Sequence, residues 1–250
     1  MNTYTRWWAA GILCMVLVST QAGGQETLWE TYQSAGSGAL QQARYDEAER
    51  LFFAAVEQAE KLGKQDPRLA QSLNSLAVLY ATQRQHVKAE PLFRRVLEII
   101  VQVFGPEHSD VAATLSNLAI LYATQGKHAD AEQLFNRALS INIKAWGSQH
   151  PAVAANLRAM AALRAAQSNF GEAERLVRRS LEISENTLGP EHPEVAASLE
   201  VFAALLRATN RDTEAQQVET RARQIRARET SPNSDSSGWN GLGPFSYHQP

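Results

Sequence analysis

The stretch Val111–Ala152, VAATLSNLAILYATQGKHADAEQLFNRALSINIKAWGSQHPA, decides the fold, because the chain contains it several times over. Residues 69–110 are the same sentence in other words, residues 153–194 repeat it again, and a further copy starts at Val195. Leu73, Leu115, Leu157 and Leu199 stand 42 residues apart, and so do Ala89, Ala131, Ala173 and Ala215. A fixed period of this length is the mark of a stack of one supersecondary unit, in which each copy buries its apolar face against the next.

Each copy reads as two helices. Leu115, Leu118, Ala119 and Tyr122 fall on one face of a 3.6-residue period, and Ala131, Leu134, Phe135, Ala138 and Leu139 do the same further on. Gly126 lies between them, where a left-handed residue ends the first helix without steric cost. Arg84, Ser168 and Asn210 hold that place in the other copies, and Arg84 is expected to be mildly strained. Gly105-Pro106, Gly147 and Gly189-Pro190 stop the second helices.

Leu118, Ala119, Tyr122, Gly126, Ala131, Phe135, Ala138 and Leu139 sit at the signature positions of the tetratricopeptide repeat, which the chain resembles over roughly residues 27–229. The 42-residue period, the run Ala131–Leu139 and the linker Gly189-Pro190-Glu191-His192-Pro193 resemble the kinesin-light-chain type of that repeat. The resemblance implies an all-α fold, a right-handed αα superhelix of about five helical hairpins. It also implies a concave groove lined by the first helices, which takes a protein or peptide ligand. The family's groove positions include Asn74, Val78, Ser116, Ile120, Arg158, Ala162 and Arg207 here. That wall is small and largely apolar, with Asn74 placed to hydrogen-bond a peptide backbone and Arg158 as its main charge.

Outward from the repeats, residues 26–68 read as a degenerate first copy. Trp29 and Tyr32 are expected to face inward, and Gly36-Ser37-Gly38 to weaken its first helix. That break leaves an open end, so self-association within a cell-envelope assembly is the rival to ligand binding. Residues 195–229 form the last copy, whose second helix loses the apolar pattern and caps the stack. Its arginines are matched by acids in the same helix, so no nucleic-acid partner is expected. Residues 230–250, rich in Ser, Asn, Gly and Pro, are expected to be disordered. Trp239, Phe245 and Tyr247 are unusual in such a tail.

Residues 1–22 read as a secretory signal: Arg6, then an apolar run from Trp7 to Val18, then small residues before cleavage after Ala22. The protein is then exported, periplasmic or secreted, with no membrane insertion once the signal is removed. Cys14, the single cysteine, goes with it.

Two ladders of polar residues invite a chemical reading. His108, His150 and His192 recur at the repeat spacing, as do Glu90, Glu132 and Glu174, with Glu49 leading. Ligands of one metal ion must converge within a few ångströms, which successive repeats do not allow. Asp66-Pro67 stands where His150-Pro151 and His192-Pro193 stand, which marks the histidines as helix-start residues. No metal, no cofactor and no catalytic residue is expected, and the protein reads as a non-enzymatic scaffold.

Overall fold

Small residues at fixed places set how closely the helices of a pair can approach. Ala48, Ala89, Ala131, Ala173 and Ala215 are fully buried, each in the first turns of a second helix. One turn further on, Phe52, Phe93, Phe135 and Val177 are buried and fill the space beside them. The computed structural model describes residues 28–229, and these are helical throughout apart from turns. The helices are α1 (28–41), α2 (Tyr45–Leu62), α3 (Pro67–Thr82), α4 (His86–Phe104) and α5 (Ser109–Thr124). They continue as α6 (His128–Trp146), α7 (Pro151–Ala166), α8 (Phe170–Leu188), α9 (Pro193–Ala208) and α10 (Asp212–Glu229). Among the described residues there is no strand, and no helix is long and apolar enough to cross a membrane. The signal segment and the tail from residue 230 lie outside the described residues.

The chain divides into two compact units, Met1–Val103 and Phe104–Pro250. In the first, α2 packs on α3 around Phe52. The helix α1 runs without interruption through Gly36-Ser37-Gly38, contrary to the expected weakening. Gly36 has a packing role instead: a Cβ there would lie 2.7 Å from Cε1 of Phe52. It occupies the place that Ala77 takes in the next copy, where a small residue lets the partner helix's aromatic ring approach. Trp29 is buried as expected and donates its indole N–H to Ser72 Oγ at 2.7 Å, whereas Tyr32 is only half-buried.

In the second unit, α5–α6, α7–α8 and α9–α10 are hairpins, and α7 also packs beside α5 and α9. Ala161, Ala173, Val177, Phe202 and Ala215 share one core cluster spanning the last two hairpins. Buried apolar residues on α10 dwindle to Ala215, Ala222 and Ile225, the polar closing helix that the sequence implies.

The hairpin turns obey one rule. Arg84, Gly126, Ser168 and Asn210 all take positive φ, from 58° to 75°, and Ala43 does so in the first copy. The N–H three residues past the helix end then returns to the carbonyl five residues earlier, as from Lys127 to Tyr122 at 2.9 Å and from Asn169 to Arg164 at 2.9 Å. The turn geometry is therefore kept by backbone hydrogen bonds, and glycine is the relaxed choice rather than a requirement.

Candidate functional site: the first-helix face and the polar ladders

Each histidine of the ladder caps a first helix. His108, His150 and His192 sit in extended conformation just before α5, α7 and α9, and each Nδ1 accepts a backbone N–H two residues on, at 3.2–3.3 Å. Asp66 does the same for α3, accepting from Arg68 N at 2.9 Å. The imidazole must be neutral and carry its proton on Nε2 to serve in this way. Aromatic residues at the preceding helix ends hold the rings: Phe104 stacks on His108 at 4.6 Å and Trp146 on His150 at 5.1 Å. Burial lowers the pKa of His150 below the ordinary histidine value. A depressed pKa means that the cap is fully present above the unfolded value, near 6.5, and is lost as pH falls through the folded one. His150→Ala is expected to cost about 1 kcal/mol at pH 8, as loss of an N-cap does. Urea melts should show this penalty shrinking as the pH falls below about 6.5.

The glutamate ladder joins successive hairpins. Glu49 on α2 accepts the Tyr80 hydroxyl of α3 at 2.6 Å, and burial with this carboxylate pushes the Tyr80 hydroxyl up to about 12. Glu132 on α6 takes both arms of the Arg164 guanidinium on α7, at 2.9 and 2.5 Å, while Arg164 Nε reaches Glu172 on α8 at 3.0 Å. Glu174 on α8 binds Arg211, just past α9, at 2.9 Å. These contacts hold the pKa values of Glu132 and Glu174 below the usual carboxylate range, through hydrogen bonds from Arg164 and Arg178 respectively. Tyr80 and Arg164 hold the same repeat position, whereas Leu206 stands there in the last copy and Arg211, in the turn beyond α9, makes the bond instead.

A polar group unforeseen from the sequence lies inside the second unit. Asn156 on α7 is buried, and its Oδ1 accepts from Ser116 Oγ of α5 at 3.1 Å and from Asn142 Nδ2 of α6 at 3.2 Å. Its own Nδ2 donates to the Phe135 carbonyl at 3.3 Å. One copy later, serine takes its place: Ser198 lies 3.0 Å from Ser180. Thr114 and Ser72 hold the same repeat position earlier in the chain, and this run of hydrogen-bonding residues was the available signal.

The seven residues expected to line the groove fall in both units. Asn74 and Val78 belong to α3 of the first, where Asn74 is buried at 5% exposure and Val78 is half-buried. In the second unit Ile120 of α5 is 47% exposed, and Ala162 of α7 and Ala204 of α9, its repeat equivalents, are exposed too. Ser116 is turned toward Asn156. Arg158 is not a free charge: it pairs with Glu194 at the start of α9 at 2.6 Å. Arg207 likewise pairs with Glu219 of α10 at 2.8 Å. The line Ile120–Ala162–Ala204 is thus small, apolar and open, with its flanking arginines already neutralised.

The arginines of α10 are similarly engaged, Arg221 with Glu185 at 2.6 Å, Arg226 with Glu200 at 3.2 Å and Arg228 with Glu191. Among the described residues no group of three or more His, Cys, Asp or Glu side chains is placed to hold a metal ion.

A family model of the tetratricopeptide repeat matches residues 30–100, 79–144 and 147–228. Among solved structures, the chain is similar to BtubC (BKLC) from P. vanneervenii, with 23% identity and a TM-score of 0.66 over 96% of this chain and 98% of that one. It is also similar to a Podosopora anserina protein described as a kinesin light chain with nearly identical TPR-like repeats, at 27% identity and a TM-score of 0.60, covering 80% of this chain and 95% of that one. Pseudomonas aeruginosa pilF shares the fold at 19% identity and a TM-score of 0.54, over 81% of this chain and 78% of that one. No curated protein matches the sequence. With the repeat model spanning most of the chain, and kinesin-light-chain-like repeat proteins among its structural neighbours, the chain belongs to the tetratricopeptide repeat family.

Proposed function

We propose that the protein is an exported, non-enzymatic scaffold that binds a segment of another protein along its first-helix face. The tetratricopeptide fold is one suited to protein–protein interaction, which supports the class of function. The observation that carries the reading is the open apolar line Ile120–Ala162–Ala204, one residue from each of three adjacent first helices. A large aliphatic side chain left 47% exposed beside alanines leaves room for a ligand side chain to settle on the helices. Because Arg158 and Arg207 are paired within the fold, apolar contact rather than charge would supply the affinity. Export rests on the Arg6-led apolar segment and the small residues before Gly23. The rival, self-association through an open first end, rested on a helix break at Gly36–Gly38. That reading also rested on Trp29 at an open array end; α1 runs unbroken through the two glycines and Trp29 is buried, which supports partner binding over self-association.

One experiment addresses both parts. A photo-crosslinking residue is placed at Ile120, with exposed Gln133 of α6 as control, in the native host under its own signal. Mass spectrometry should find a discrete partner protein at Ile120 and not at Gln133, on a chain whose N-terminus is Gly23. Adducts only between copies of this chain, or equal adducts at both positions, would overturn the binding face. An intact Met1 in the crosslinked product would overturn cleavage.

A further inference from the structure

The linkers that follow α4 and α8 read Gly105-Pro106-Glu107-His108 and Gly189-Pro190-Glu191-His192. The linker after α6 reads Gly147-Ser148-Gln149-His150, and it follows Trp146 where the others follow Phe104 and Leu188. Three departures from the repeat fall together, and each puts an uncharged hydrogen-bonding side chain in place. The acid that is lost has a task elsewhere. Glu107 binds Lys144 at 3.1 Å, Glu191 binds Arg228, and Gln65 meets Gln102 at 3.3 Å in the corresponding places. Each of these bonds joins a linker to a second helix 37 residues further on. Gln149 and Asn186 are the remaining pair in this register, and the short asparagine leaves the rung unjoined. Among the described residues, the side chains of Trp146, Ser148, Gln149 and Asn186 make no hydrogen bond, and all four residues are exposed.

Trp146 is 53% exposed although one face of its indole is covered, stacked on His150 at 5.1 Å with 18° between the planes. So much exposure with one face covered means that the other face is open to solvent. The stack also holds the ring in place, because His150 is itself pinned through Nδ1 to the Ala152 N–H at 3.2 Å. The turn closes with a hydrogen bond from the His150 N–H to the Gly147 carbonyl at 3.4 Å, so Ser148 and Gln149 stand on a tight loop next to the ring. Lys144, the nearest cation along α6, is already bound to Glu107, so the place does not select for an anion.

A flat, open indole bordered by uncharged groups that both donate and accept suits a ligand with an apolar face and a rim of hydroxyls. A pyranose ring has this form. Its axial C–H bonds carry slight positive charge and rest on the negative face of an aromatic ring. Its hydroxyls donate and accept at once, as the Gln and Asn amides do. We propose that Trp146, Ser148, Gln149 and Asn186 form a binding site for an uncharged saccharide. One sugar ring stacks on the open face of Trp146, and its hydroxyls bridge Gln149 and Asn186, closing the rung that the protein leaves open. The site lies at the linker end of α6 and shares no residue with the first-helix face through Ile120, so the two readings stand or fall separately.

The test titrates the full chain, with isotopically labelled indole nitrogens, with N-acetylglucosamine, its β-linked trimer and cellotriose, followed by NMR. Trp146→Phe assigns the Trp146 signal by removing it. At least one sugar should shift that signal, with a dissociation constant of order 1 mM, and leave the signal of buried Trp29 in place. Gln149→Ala and Asn186→Ala should each weaken the binding about threefold or more, with the helical signal unchanged, as loss of one hydrogen bond does. Trp146→Ala should abolish saturation transfer from the protein to the sugar protons. A trimer that binds more tightly than its monomer marks a glycan chain as the source of the ligand, and equal affinity marks a single terminal sugar. No shift with any of the three sugars, or a shift that neither amide substitution weakens, would overturn the proposal. So would a shift with tetramethylammonium and none with the sugars, which marks a cation resting on the ring.

Discussion

Asn156→Ala is expected to destabilise the protein by about 2–4 kcal/mol, because it leaves buried hydrogen-bonding groups without a partner and opens a cavity. The Asn142 amide, 5% exposed, loses the acceptor 3.2 Å away and has no solvent to turn to. Ser116 suffers less, since its hydroxyl also donates to the Ala112 carbonyl at 2.9 Å. The two asparagines form one unit, so Asn142→Ala combined with Asn156→Ala should cost less than the sum of the singles, by about 1 kcal/mol. Urea denaturation of the four members of this cycle measures the difference. A loss below about 0.5 kcal/mol for Asn156→Ala would place it among ordinary surface substitutions and remove the network from the core.

Ala131→Leu tests the close helix crossing. Ala131 is fully buried in the first turn of α6, and α5 packs on that helix. Leucine adds three carbons where no space is left, and the helices must separate or the side chain must leave its preferred rotamers, for about 1–3 kcal/mol. Ala129, exposed two residues earlier on the same helix, is the control. Ala129→Leu should shift stability by no more than about 0.5 kcal/mol. An equal effect at both positions would show that helix α6 presents a different face to α5.

The repeat, its hairpins and its turns were legible because each depends on residues close in sequence. A left-handed turn needs one permissive residue, and the positions of Arg84, Gly126, Ser168 and Asn210 could be counted off at the repeat spacing. The histidine caps were legible through Asp66, a conventional capping residue at the same position. What could not be read was pairing between helices. Gly36 looks like a helix breaker in isolation and becomes a packing site only when the Phe52 ring is placed beside it. Glu132 looks like a first-turn carboxylate, and its bond to Arg164 depends on a residue 32 positions away. Arg158 stands as the main charge of the groove wall in the sequence, and its engagement is hidden for the same reason. Its partner Glu194 belongs to another hairpin, and no local pattern announces it.

The glutamate joints have a mechanical consequence. In the second unit, Glu132–Arg164 and Glu174–Arg211 each tie one hairpin to the element that follows. Stability in such an array is a sum of nearest-neighbour couplings, as in a one-dimensional lattice. Melting then has a direction. It starts where a hairpin has a neighbour on one side only and a sparse apolar face, which is α9–α10. It travels inward as each joint gives way, so the amide protons of α10 exchange before those of α8, and those of α8 before those of α6.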